Sequence, residues 1–238
     1  MDHHQLRTKV ASANHSIASA GLVELSFGNV SGVDRAAGLF AIKPSGVACS
    51  ELLPDQVVLV SLDNGQVVEG DLRPSSDTPT HLHLYRSFDE IGGVVHTHSP
   101  FATSWAQARR PIPCFGTTHA DHFHGEVPVT RPLQADEVGG DYERSTGEVI
   151  VETFLGSGLD PLHHPGVLVA SHGPFTWGVD PDDAVMNAVA VEVIARMAYQ
   201  SLAISGDLSP IEPFLLDRHF QRKHGPNAYY GQSMPPVT

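Results

Sequence analysis

An α/β fold on one mixed or antiparallel sheet is what this sequence predicts, and three observations carry it. Short apolar runs broken by Gly, Pro, Asn and Asp have the look of strands. Segments with apolar residues at helical spacing lie between and around them. No repeat or linker-like stretch divides the 238 residues. One domain over residues 1–232 is therefore expected, with a loose Pro-containing tail at 233–238.

The elements follow in order. Leu6, Val10, Ala13 and Ile17 recur at helical spacing, and Gly21 supplies a C-terminal stop. LSFGNVSGVD and GLFAIKPSGV read as short strands broken by glycine. QVVLVSLDNGQVVEG reads as a β-hairpin turning at Asp63, Asn64 and Gly65, because Asn-Gly favours hairpin turns. SSDTPTHLHLYRSF starts a helix. Ser76 or Asp77 caps it, a proline follows in the first turn, and Leu82, Tyr85 and Phe88 form its stripe. VVHTH is a strand, followed by a helix around Ala102 to Ala108. IPCFGTTHADHFHGEVPVT reads as strand and loop. A helix around Val149 to Leu155 leads into GVLVASHGPFTWG, two short strands with a sharp turn between them. DDAVMNAVAVEVIARMAYQSLAI is the longest helix, apolar enough to be largely buried. A polar helix around Glu212 to Lys223 comes last.

Composition excludes several classes of function. The net charge is -13, and no Lys/Arg cluster runs longer than two, so neither nucleic acid nor an anionic membrane is an expected partner. An anionic substrate would need a local site able to overcome the global field. Cys49 and Cys114 are too few for a disulfide framework, and a cytoplasmic setting is expected. No apolar stretch reaches the roughly 18 residues of a membrane span, and the N-terminus lacks the apolar core of a signal peptide. Histidine is the unusual component: 15 residues, against 14 Lys and Arg together.

His96 and His98, alternate residues of a strand, would share one face and could grip one metal ion. Alone, such a pair also suits an ordinary polar strand end. His172 ends an apolar strand just before Gly173 and offers a third ligand. Three histidines with an open position is the pattern of a catalytic metal. Three further segments, GNVSG, KPSG and PSSD, combine backbone N–H groups with small hydroxyls. Lys43 adds a cation, and Ser75 and Ser76 stand at a helix N-terminus that favours an anion. Singly each is a turn or a cap; together they suggest a phosphate site.

The ordered set GNVSGVD, IKPSGV, PSSDTPTH, GGVVHTHS, GTTHAD and SHGPFTWG resembles the class II aldolase/adducin family, and within it the pentulose-phosphate 4-epimerases. The resemblance implies a three-layer α/β/α domain with a mostly antiparallel central sheet. It also implies a homotetramer with sites at subunit interfaces. It places one divalent metal per subunit, usually Zn2+, on His96, His98 and His172. Asp77 falls where related aldolases carry a glutamate that ligates metal and acts as base. Asn29, Lys43, Ser45, Gly46, Ser75 and Ser76 match phosphate-binding positions. Asp121 and Tyr230 match an acid/base pair, with Tyr230 reaching a neighbouring subunit's site. Thr117, Glu143 and His219 match supporting positions, while His122 and His124 have no counterpart role. The activity implied is inversion at C4 of a phosphorylated pentulose, interconverting L-ribulose 5-phosphate and D-xylulose 5-phosphate. An aldolase of the same family, a non-enzymatic binding protein on the same fold and a zinc hydrolase remain the alternatives.

Overall fold

A computed structural model describes residues 2–230, so the tail expected at 233–238 lies outside the described residues. Seven strands form one sheet: β1 (Asn29–Asp34), β2 (Leu39–Ile42), β3 (Val58–Ser61), β4 (Val67–Glu69), β5 (Gly93–His96), β6 (Gly166–Leu168) and β7 (Pro174–Gly178). Their order is β4-β3-β2-β1-β5-β7-β6, and every neighbouring pair is antiparallel. The helices are α1 (His3–Ser19), α2 (Thr78–Ser87), α3 (Pro100–Ala108), α4 (Thr117–Ala120), α5 (Ala135–Gly139), α6 (Tyr142–Ser157), α7 (Pro181–Ile204) and α8 (Pro213–His224).

The alternation of strand side chains creates the layers. Phe40, Ile42, Val58, Val60 and Val94 face a core completed by Leu84 and Tyr85 of α2 and Ile150 and Phe154 of α6. Leu39, Ala41 and Leu59 face the other way, onto Leu6 and Val10 of α1. Val30 and Val95 meet α7 there, at Ala184 and Ala188. The sheet is therefore sandwiched between two helical layers, as expected.

Helix starts follow the local chemistry. Asp2 and Gln5 form a capping box on α1. Asp180 accepts from Asp183 N–H at 2.9 Å, and Pro181 opens α7. Asp141 accepts from Arg144 N–H and starts α6 seven residues before the segment read from the sequence.

Four further expectations need correction. The stripe of α2 centres on Leu84, Tyr85 and His81; Leu82 is only half-buried, because the helix turns its 81–84–85 face to the sheet. The segment from Ile112 to Thr130 contributes single bridges, Ile112 to Val127 and Val129 to Leu168, and the short α4 instead of a strand. Helix α5 went unread because its five residues give no period. The longest helix, α7, is buried along one face only: Met186, Met197, Tyr199 and Ile204 are exposed.

The Phe154 ring packs against Phe88 and Trp177, with centroids at 5.4 and 5.1 Å. Phe154→Ala should cost about 3–5 kcal/mol of stability. A urea midpoint close to that of the unsubstituted protein would contradict this packing.

Candidate active site

The site is assembled at one end of three central strands. The pairing of β1, β5 and β7 sets Asn29, His96 and Phe175 in one row. The His96 ring stacks on Phe175 at 4.1 Å and 15°. Its Nδ1 lies 3.0 Å from the Pro174 carbonyl, so Nδ1–H donates there and Nε2 presents a lone pair. His98 lies just beyond the strand end, with its Nε2 3.0 Å from His96 Nε2. His172 is not at a strand end: β6 stops at Leu168, and His172 sits in the turn to β7, where its N–H donates to the Val169 carbonyl at 3.0 Å. Ser171 adopts φ 64 in this tight turn, and its N–H is tied to the Ala106 carbonyl at 2.8 Å. Tyr142, a residue the motifs did not single out, places its hydroxyl 3.3 Å from His172 Nδ1.

One potential ligand atom from each of His96, His98 and His172 lies within 4.8 Å of the other two. Burial, then the neighbouring His96 and His98, pushes the His172 imidazole down to about 3. Burial and His96 lower His98 as well. Three converging imidazole nitrogens are a donor set for a divalent cation such as zinc, so these residues fit one.

Asp77 occupies the N-cap position of α2, yet its side chain makes no capping bond. The carboxylate instead accepts from Asn29 Nδ2 at 2.6 Å. Burial works against its charge, but His96, His81 and the Asn29 bond outweigh burial and hold the carboxyl below its usual range. It stands outside the three-histidine cluster itself.

The three hydroxyl-rich segments meet. Ser75 N–H donates to the Lys43 carbonyl at 3.0 Å and Ser45 N–H to the Arg73 carbonyl at 2.9 Å, joining the two loops side by side. Asn29 Nδ2 also donates to Ser75 Oγ at 3.1 Å. Gly46 takes φ 76, which suits glycine in this turn. Lys43 is 2% exposed, and burial lowers its pKa. Its ammonium donates to the Pro44 and Ser26 carbonyls at 3.2 and 3.4 Å. One cavity of about 290 Å³ is lined by Asn29, Lys43, Ser45, Gly46, Ser75 and Ser76, and also by Asp77, Glu143 and the three histidines.

Four singled-out residues lie elsewhere in this chain. Asp121 accepts from Arg222 Nε and Nη2 at 3.0 and 2.6 Å and pairs with His219 Nδ1 at 3.1 Å. Tyr230 is 58% exposed, and Arg222 and Lys223 lie over its ring at 4.7 and 4.8 Å. Thr117 lines a different cavity with Phe115 and Met197. None of the four lines the histidine cavity. Arg222 was missed, although its spacing from His219 puts both on one face of α8. His124 pairs with Asp217 at 2.7 Å and so helps to fasten α8.

The profile described as Class II Aldolase and Adducin N-terminal domain matches residues 8–199. The chain belongs to the class II aldolase and adducin family. It is 55% identical over 228 residues to L-ribulose-5-phosphate 4-epimerase UlaF of Salmonella paratyphi A, spanning 96% of this chain and 99% of that one. The same figures hold for UlaF of Salmonella typhi. A solved L-fuculose 1-phosphate aldolase superposes with a TM-score of 0.75 at 23% identity, over 92% of this chain and 95% of that one. An l-fuculose-1-phosphate aldolase from Thermus thermophilus gives 0.67 at 21% identity, over 87% and 100%. These two likenesses establish the fold.

Burial pushes His81, His119 and His172 each from 6.5 to about 3. Folded, they stay neutral where the unfolded chain takes up protons. Their contribution is therefore present above about pH 6.5 and lost as pH falls from there toward 3. The urea midpoint of metal-free protein should drop steadily from about pH 7 to about pH 4.5. A flat profile would contradict neutral burial of these rings.

Proposed function

We propose that this protein is a metal-dependent 4-epimerase that interconverts L-ribulose 5-phosphate and D-xylulose 5-phosphate by retro-aldol cleavage and re-addition. The observation that carries this reading is one cavity holding three converging histidines beside the Lys43 and Ser75/Ser76 loops. The 55% identity to L-ribulose-5-phosphate 4-epimerases over nearly the whole chain supports it.

The chemistry explains the equipment. The two sugars differ at C4, which is not α to the C2 carbonyl, so its proton is not acidic. Breaking C3–C4 is easier, because the carbanion left at C3 is an enolate of the ketone. A divalent cation held by His96, His98 and His172 with Asp77, zinc by the preference of imidazole and one per subunit, would supply Lewis-acid stabilisation of that charge. Lys43, Ser45, Gly46, Ser75, Ser76 and Asn29 hold the phosphate, keeping the aldehyde fragment from leaving while its carbonyl turns. Asp121 and Tyr230 move protons at the C4 oxygen, one on each face. Thr117, Glu143 and His219 support the substrate and this pair.

The cavity and the acid/base pair are separate within one chain, which favours a composite site in a homotetramer. Asp121 and Tyr230 share Arg222, so both are assigned to the same neighbour's cavity. Exposed Met186, Tyr199 and Phe214 offer apolar surface for assembly. No helix among the described residues is long and apolar enough to cross a membrane. A cytoplasmic location suits the phosphosugar substrate.

A coupled assay should detect D-xylulose 5-phosphate formed from L-ribulose 5-phosphate. In deuterated water the C4 proton should survive, because it stays on the aldehyde carbon throughout. Deuterium entering C4 at the rate of turnover would exclude the cleavage route. Steady accumulation of free glycolaldehyde phosphate would make the protein an aldolase instead.

Subunit exchange tests the composite site. His96→Asn and Asp121→Asn should each be inactive alone. Mixed tetramers should regain activity, because some sites join an intact cavity to an intact pair. Asp121→Asn mixed with Tyr230→Phe should regain none. The opposite pattern, after exchange is confirmed by mass, would place Asp121 and Tyr230 in different subunits' sites.

A further inference from the structure

His81 does not line the cavity, yet it lies between the core and residues that do. It lies one helical turn after Asp77, and its N–H donates to the Asp77 carbonyl at 3.0 Å. The side chain is 0% exposed. Nδ1 is 2.7 Å from Ser31 Oγ, which is 2.7 Å from the Tyr85 hydroxyl. The ring edge meets Phe175, on which His96 stacks. Nε2 is buried without a partner, as is Oδ1 of Asn29, whose Nδ2 donates to Asp77.

The direction of this chain can be worked out. The Tyr85 hydroxyl is buried between Ser31 Oγ and the Val94 N–H; the latter is a donor, so the phenolic proton goes to Ser31. Ser31 then donates to His81 Nδ1, and the imidazole proton is left on Nε2. The reverse order would strand the phenolic proton in the core and leave Nε2 a bare acceptor within the field of an ionised Asp77. A buried donor without an acceptor is rare and calls for a use.

We propose that His81 is a positioning residue of the metal site. Its Nε2–H, fixed in that tautomer by Ser31 and Tyr85, orients the Asp77 carboxylate through one water, together with Asn29 Nδ2. The inference rests on the reading that Asp77 and the three histidines serve one cation.

The test is zinc affinity, measured on metal-free protein by competition with a chromophoric chelator. His81→Leu should weaken zinc binding by about tenfold or more, in the range typical of lost outer-shell partners. His81→Gln, which keeps an N–H near the Nε2 position, should recover part of that loss. Asp77→Asn should also weaken binding, and adding His81→Leu to it should cost little more. Losses that multiply would overturn the proposal, since His81 would not then act through Asp77. The tautomer is read independently from the 15N shifts of His81 in the unsubstituted protein, so a variant that fails to fold leaves the question open to measurement. A proton on Nε2 supports the proposal and a proton on Nδ1 overturns it. Failure of the underlying reading is distinguishable: zinc bound equally well by unsubstituted protein and His96→Asn would remove the histidine site itself.

Discussion

The register of β1, β5 and β7 is the constraint on which the rest depends. Gly32, Gly93 and Gly178 face one another across these strands. A Cβ at Gly32 would meet the Pro181 ring at 2.6 Å, one at Gly93 would meet Pro181 N at 2.5 Å, and one at Gly178 would meet Ala184 N at 2.6 Å. The glycine row is thus the seat for the start of α7. Further along, the same register forms the row Asn29, His96 and Phe175. A slip of one residue would put side chains under α7 and turn His96 to the opposite face. Packing of the longest helix and presentation of the first histidine are therefore set together.

That register also solves an electrostatic problem. A chain of net charge -13 repels a sugar phosphate at long range. The cavity opposes this with a buried Lys43, whose charge is supported by the Pro44 and Ser26 carbonyls and by the field of Asp77. Burial keeps His98 and His172 neutral, so they add lone pairs without adding repulsion for a cation. Charge is concentrated where it is used, and loop pairing between Lys43 and Ser75 fixes it there.

Much of this was legible in the sequence. The H-x-H pair and the third histidine were readable as a possible cluster because each lies near a short apolar strand. The loops GNVSG, KPSG and PSSD were readable as one site only collectively, since their backbone pairing is non-local. Asp77 was ambiguous for a physical reason: helix caps and metal ligands draw on the same residue type, and only the structure shows that its carboxylate bonds Asn29 and makes no cap. His81 was invisible because a histidine on a helix stripe has no local mark of burial. Arg222 and Tyr142 were likewise hidden, since their partners lie 101 and 30 residues away. The exposed face of α7 was misjudged because apolar content alone does not say which neighbour covers a helix.

Arg222 gives the proposed acid/base pair a property that epimerisation requires. Inversion at C4 runs in both directions through one open intermediate, so each member must give a proton in one direction and take one in the other. Two hydrogen bonds from the Arg222 guanidinium support a charged Asp121, and the same guanidinium lies over the Tyr230 ring. One cation thus lies against both members of the proposed pair. His219, bonded to the same carboxylate, anchors the pair from the preceding turn of α8. The proposed pair, Asp121 at the end of α4 and Tyr230 beyond α8, is thus tied together through one face of α8 and lies apart from the histidine cavity within a single chain.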